Sequence, residues 1–549
     1  MNSLRLALFL GLTCFVSSSV ADSASITTNT IAEAEKLIGL EFTGTKRELM
    51  HGGVKGRVAD FERNRGVEIP YGTFPAVLFN PIPQGFKIPT ERKEPKWSSL
   101  PKKIKRPSDL EEVAFWSIPQ LAALIKSRQV TSEDLTKMYL ARLKESGPKL
   151  ECVVTLTEDM ALEQARRADR EIAAGRYKGL LHGIPYGAKD LLSTRGTKTT
   201  WGSVPYKDQV FDEDATVIKK LEEAGAVLVA KTTMGELAWG ETWFGGMTRN
   251  PWNTEKGSSG SSAGSAAGVS AGLFPFAIGT ETHGSIISPS AICGVTGLRP
   301  TYGRVSRAGC MSLSWTMDKI GAIGRNAEDC AIVLNAIYGA DKNDPTAYDV
   351  PFNYQPKVNW KKLRIGYLKA DFDRKKNNSH DLASLKALEK LGATLIPIEL
   401  PTNHPSSSIS FILATEGAAF FDELTRSNRD DLMVRQIANA WPNVFRGRRF
   451  IPAVEYLQAQ RIRTLLIQDM HKLMQTVDVY VAPWDTGQNM LLTNLTGHPG
   501  VVVPNGFSES GMPVAISFVG QLFGEADLLA LANAYQNATD FHLKQPKGF

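Results

Sequence analysis

Apolar and polar positions alternate along this chain in two rhythms. From about residue 117 onward, segments with apolar side chains every three or four positions give way to short runs rich in β-branched residues. The first rhythm predicts helices over residues 118–126 (with Ser117 as N-cap), 132–145, 159–174, 215–224, 382–391 and 526–535. The second predicts strands at 226–230, 363–368, 394–397, 477–482, 500–504 and 515–519. Alternation of this kind argues for an α/β fold, a single large domain over 117–549 with a central mixed β-sheet covered by helices on both faces. Ahead of it, residues 30–40 have helical spacing, with Ile31, Ala34 and Ile38 as the apolar positions. Residues 72–107 are rich in proline and lack a period, which reads as an extended strap. Residues 22–116 therefore form an N-terminal extension.

The first 21 residues follow a different logic. Arg5 precedes the apolar run 6–16, and small residues Ser19 and Ala21 follow it. A basic start, a short apolar segment and small residues at the −3 and −1 positions predict a cleavable signal peptide, hence a secreted or periplasmic protein. No other stretch approaches the roughly 20 apolar residues of a membrane span.

Composition changes this picture little. Of the 549 residues, 42% are hydrophobic and 22% charged, which is ordinary for a globular chain with a large core. The net charge of +6 is local: residues 87–106 hold eight Lys or Arg against Glu91 and Glu94, which accounts for all of it. A nucleic-acid binder spreads basic residues over a face with aromatics for stacking, whereas this stretch carries Pro89, Pro95 and Pro101 and reads as a solvated strap. No nucleic-acid partner is expected. Cys14 would leave with the signal, and Cys152, Cys293, Cys310 and Cys330 are scattered without a CxxC pair. That pattern does not suggest a zinc site and leaves both disulfides and buried thiols open.

Candidate chemistry concentrates at residues 257–286, GSSGSSAGSAAGVSAGLFPFAIGTETHGSI. Glycines let backbone amides approach a ligand, and serines among them are candidate nucleophiles or proton carriers. A flexible Gly/Ser linker has the same composition. A linker has no reason to run into an apolar, strand-like segment (273–278) and then a second Gly/Ser turn. Serine needs a base, and no GxSxG elbow with a matching His and Asp is apparent. Lysine serves as a base only when neutral, which burial favours. Lys189 follows the apolar, glycine-rich 183–188, a setting compatible with burial.

Lys189 in GIPYGAKDLL, Ser261 in SSGSSAGS and Ser285 in TETHGSI together resemble the amidase signature family of serine hydrolases. The resemblance extends to the C-terminus through GLRPTYGRVSRAG at 297–309, the Asp318, Gly321, Arg325 and Asp329 pattern, NLTGHPGVVVPNGF at 494–507 and GMPVAISFVGQLFGEADLLALA at 511–532. It implies an amidase that hydrolyses carboxamide C–N bonds without metal or organic cofactor. It also implies a Ser–cisSer–Lys triad in which Ser285 is the nucleophile, Ser261, 24 positions earlier, the bridging serine, and Lys189 the base. Backbone N–H groups of Thr282, His283, Gly284 and Ser285 would form the oxyanion hole. Where many members have Asp-Thr-Gly-Gly-Ser, this chain has Glu281-Thr282-His283-Gly284-Ser285, so His283 either contacts substrate or packs aside. Trp239 and Trp243, in and beside a segment resembling a cleft-lining one, are candidates for the substrate wall or for the core. Asp190, Arg299 and Asp318 read as structural or orienting, and His182 and His498 as hydrogen-bonded structural residues. The expected partner is a small-molecule or peptide amide. The alternatives are the glutaminase subunit of a tRNA-dependent amidotransferase, which works in the cytosol with partner subunits, and a non-catalytic scaffold of the same fold.

Overall fold

Strands built mostly of apolar and small residues must be covered on both faces, and the strands at the centre of this protein are of that kind. The computed structural model describes residues 26–99, 104–373 and 378–549. Eleven strands form one sheet: β1 (Val153–Leu156), β2 (Pro185–Lys189), β3 (Val227–Thr232), β4 (Phe276–Glu281), β5 (Thr296–Arg299), β6 (Lys319–Gly324), β7 (Ile365–Leu368), β8 (Leu395–Ile398), β9 (Val479–Pro483), β10 (Gly500–Phe507) and β11 (Pro513–Gly520). Their spatial order is β1-β3-β2-β4-β6-β5-β10-β11-β9-β7-β8. β2 runs parallel to β3 and β4, and β7 parallel to β8 and β9, while the remaining neighbours are antiparallel. Every residue of β2, β3, β4 and β6 is buried, so helices and loops cover both faces there.

Most predicted elements are present with shifted ends. The helix at Ile118–Lys126 starts at Ser117, whose hydroxyl donates to Gln120 Oε1 while its own amide donates to the same oxygen. The next helix runs on from Ser132 to Leu150. The predicted lead-in is α1 (Thr28–Ile38), closed by Gly39 in the left-handed conformation. Behind it lies an element the apolar pattern does not announce, α2 (Gly44–Arg65). It has no apolar stripe, and Thr43 caps it while Asp60 and Glu62 pair with Arg57, Arg63 and Arg65 along its exposed side.

Residues 66–99 contain no helix or strand. This part of the strap runs beside residues 349–355, with the Lys96 amide donating to Tyr354 O at 2.9 Å, Lys93 N to Asn353 Oδ1 at 2.8 Å, and Arg92 paired to Asp349. Residues 100–103 of the strap, and the predicted signal peptide at 1–21, lie outside the described residues. No described helix is long and apolar enough to cross a membrane. The four cysteines from Cys152 to Cys330 are unpaired, three of them buried.

The Gly/Ser stretch holds the largest departure from expectation. Residues 263–270 form a helix, α3 (Ala263–Ser270), in which all eight residues are buried. The strand after it is β4, three residues later than the apolar run predicts. Small side chains allow α3 to sit directly against the sheet: a Cβ on Gly264 would lie 2.2 Å from Cys152 O, and one on Gly268 2.2 Å from Phe274 Cζ. A polar seam completes the contact, with Ser265 Oγ donating to Ile278 O at 3.1 Å. A short helix, α4 (Ile287–Cys293), then follows the Ser285 turn.

This packing predicts opposite outcomes for two glycines. Gly264→Ala, forced against backbone, lowers unfolding stability by about 1–3 kcal/mol. Gly52→Ala, on α2 with nothing within 4 Å of the new methyl, does not lower it. Denaturant melts of the two variants beside the parent protein check both.

Candidate active site

β2 ends in Lys189, whose side chain is completely buried. Its Nζ lies 2.8 Å from Ser261 Oγ, 2.9 Å from Thr280 Oγ1, 3.1 Å from Ser262 Oγ and 3.3 Å from Thr280 O. All four are uncharged oxygens. The carboxylates of Asp318 and Glu281 act on the amino group only from a distance. Burial without a paired counter-charge pushes its pKa down from 10.5 to about 7.

A neutral amine has two N–H donors and one lone pair. Thr280 O only accepts, and the Ser262 hydroxyl donates to that same carbonyl at 3.1 Å while accepting from the Thr280 amide. The Ser261 hydroxyl has no other partner among the described residues, so its proton is free to point into the Lys189 lone pair. The peptide bond between Gly260 and Ser261 is cis.

Asp190, next in the chain, belongs to a separate pair. It lies 3.2 Å from Lys231 Nζ with both side chains fully buried. Thr200 donates its amide (2.9 Å) and hydroxyl (2.5 Å) to Asp190, and Lys231 donates to Thr199 Oγ1 at 2.7 Å. Lys231 was not among the sequence candidates: 41 positions separate it from Asp190, and nothing local links them.

Ser285 stands in the turn between β4 and α4. The Ser262 amide donates to its carbonyl at 3.1 Å, which ties the turn to the Ser261 segment. Its hydroxyl opens on a cleft and makes no hydrogen bond among the described residues, so in this structure the Lys189–Ser261 link is closed and the Ser261–Ser285 link is not.

Glu281 holds the turn from one side. Oε2 accepts from the Ile286 (2.9 Å) and Ile287 (3.0 Å) amides, and Oε1 from Arg299 (2.8 Å) and Asn494 Nδ2 (2.9 Å). Burial opposes its charge, but Arg299, Lys319 and these donors hold its pKa down to about 2. Asp318 braces the other side, accepting from the Thr282 hydroxyl (2.6 Å) and from the amides of Leu313 (2.8 Å) and Ser314 (3.0 Å). Gly284 adopts φ +85°, and a Cβ there would meet Met490 Sδ at 2.6 Å, so the turn needs glycine at this position. The N–H groups of Thr282, His283, Gly284 and Ser285 are left without an acceptor among the described residues.

The cleft beside Ser285 has a volume of about 400 Å³, within the range of small-molecule sites. Trp239 lines it, half-buried, whereas Trp243 is buried against Phe244. Trp441 faces Trp239 with ring centroids 6.0 Å apart, and Leu413 and Leu313 extend the apolar wall. Trp441 and Leu413 come from helices whose sequences give no sign of a site. His283 is exposed at the cleft, and its imidazole is walled in enough for desolvation to lower its pKa below 6.5. His182 and His498 sit elsewhere, bonded to Glu171 and Thr496. Among the described residues, no group of three or more His, Cys, Asp or Glu is placed to hold a metal ion.

A mixed sheet carrying a buried lysine–serine contact beside a cleft-lining serine is an α/β arrangement suited to nucleophilic catalysis. The chain belongs to the Amidase family, whose family model matches residues 134–529. It is 36% identical over 478 residues to a subunit of the glutamyl-tRNA(Gln) amidotransferase of Marinomonas sp. (strain MWYL1), an alignment covering 78% of this chain and 98% of that protein. Among solved structures, it is similar to the native peptide amidase of Stenotrophomonas maltophilia, with a TM-score of 0.70 and 29% identity over 78% of this chain and 98% of the other. An amidase family protein from Bacillus anthracis str. Ames matches with a TM-score of 0.71 and 28% identity, over 80% of this chain and 93% of the other. The protein is an amidohydrolase.

With Lys189 as the base, its lowered pKa predicts a pH dependence. A lysine base is neutral above its pKa, so kcat/KM for amide hydrolysis rises as pH climbs through about 7 and levels off above it. An acidic limb near the ordinary lysine value of 10.5 would contradict the assignment of Lys189 as base.

Proposed function

We propose that the protein hydrolyses carboxamides through an acyl-enzyme on Ser285, with Ser261 as the bridging serine and Lys189 as the base. The observation that carries this reading is the 2.8 Å contact between Ser261 and a lysine whose pKa falls to about 7. Neutral Lys189 takes the proton of Ser261, which takes that of Ser285 as its oxygen attacks the amide carbonyl. The resulting oxyanion accepts hydrogen bonds from the unpartnered amides of the 282–285 turn. The relay then returns the proton to the leaving nitrogen, the C–N bond breaks, and ammonia or an amine departs. Water repeats the attack on the ester and frees the acid.

Trp239 and His283 would contact the substrate, since both line the cleft. Similarity to a peptide amidase favours amides of peptide or small-molecule size. Identity of 36% to one component of an amidotransferase favours a second reading, a glutaminase that passes ammonia to a partner. The two separate on whether the isolated chain releases ammonia from simple amides at full rate or needs partner subunits. The signal-like residues 1–21 support the first reading and export from the cytosol.

Ser285→Ala is expected to abolish both turnover and labelling by a fluorophosphonate probe, and Lys189→Ala to reduce kcat by a factor on the order of 10³ or more, as loss of an activating base does. Near-normal turnover of Lys189→Ala at neutral pH would overturn the triad. N-terminal sequencing of secreted protein should find a start just after Ala21. An intact, cell-retained Met1 chain would overturn export.

A further inference from the structure

Next to the cleft the guanidinium of Arg435 lies over the ring of cleft-lining Trp239, its Cζ 4.0 Å from the ring centroid. Nη1 reaches within 3.0 Å of where a Cβ on cleft-lining Gly240 would stand. Nearby arginines are paired, Arg446 with Asp430 and Asp431 and Arg449 with Asp422. The Arg435 side chain forms no ion pair or hydrogen bond among the described residues. Glu236, which feels its charge, turns its oxygens to the Ser203 hydroxyl (2.7 Å) and the Val434 amide (3.1 Å). The residues lining the cleft include no Asp, Glu, Lys or Arg. Beside the Trp239–Gly240 wall of the cleft, Arg435 therefore presents a positive charge that no ion pair among the described residues neutralises. Trp239 packs against the guanidinium, whose N–H edge has no acceptor among the described residues. That edge matches a planar carboxylate, which can accept two parallel hydrogen bonds from it.

We propose that Arg435 selects amide substrates carrying a carboxylate remote from the scissile bond. The proposal rests on the amidase reading of Ser285 and goes beyond it by naming the substrate class. A hydrogen-bonded charge pair of this kind corresponds to about tenfold to a hundredfold in kcat/KM.

The test uses the purified full chain and three amides of similar length: glutaramic acid, hexanamide and 5-aminopentanamide. Ammonia release is expected to rank them in that order, with glutaramic acid ahead of hexanamide by at least tenfold. Arg435→Gln is expected to bring that ratio to about one, and Arg435→Lys to retain part of it. The same comparison works without turnover, because glutaramic acid should protect Ser285 from a fluorophosphonate probe at lower concentration than hexanamide. Equal values for glutaramic acid and hexanamide in the parent protein, or a ratio unmoved by Arg435→Gln, would overturn the role of Arg435 and leave amide hydrolysis standing. Absence of both ammonia release and probe labelling would instead overturn the amidase reading itself.

Discussion

The site depends on one buried amino group that is denied a counter-ion. Desolvation alone disfavours a lysine charge strongly, and a carboxylate at contact distance would restore it. Asp190, adjacent in sequence, could have done so. Consecutive residues of an extended chain point to opposite sides, and Asp190 points to Lys231. Thr199 and Thr200 add hydrogen bonds to that pair, which lies apart from Lys189. Lys189 is left with hydroxyls and one carbonyl, an environment that solvates a neutral amine and can pass a proton.

Small residues make the burial workable. α3 carries only Ala, Gly, Ser and Val, so its backbone can press against β2 and β4 and close the space above Lys189. The same economy governs the Ser285 turn. Glu281 and Asp318 together bind four backbone amides and the Thr282 hydroxyl, and that bracing keeps the remaining amides of the turn unoccupied. Glutamate in place of the more usual aspartate still reaches both Ile286 and Ile287, because Arg299 and Asn494 hold its other oxygen.

Much of this was legible in the sequence, for definite reasons. The Ser117 cap and the buried apolar strands are local signals, and local signals survive folding, whereas the pairing of Ser261 with Ser285 came from the family resemblance. α2 was hidden because Gly52, Gly53 and Gly56 weaken the helical signal and no apolar stripe replaces it. α3 was hidden because Ala, Gly and Ser show no periodicity, so nothing in the stretch announces a helix. The Asp190–Lys231 pair, the Glu281 clamp, Trp441 and Arg435 depend on tertiary proximity between segments far apart in the chain. No single-segment pattern encodes such contacts.

The central claim is that Lys189 is neutral where the enzyme works, and heteronuclear NMR of the lysine side-chain nitrogens tests it most directly. In protein labelled with ¹⁵N-lysine, one Nζ resonance should titrate near pH 7 and vanish in Lys189→Met, which separates it from the other buried lysines, Lys231 and Lys319. A Lys189 ammonium that persists to about pH 10, the range of an unperturbed lysine, would contradict the account.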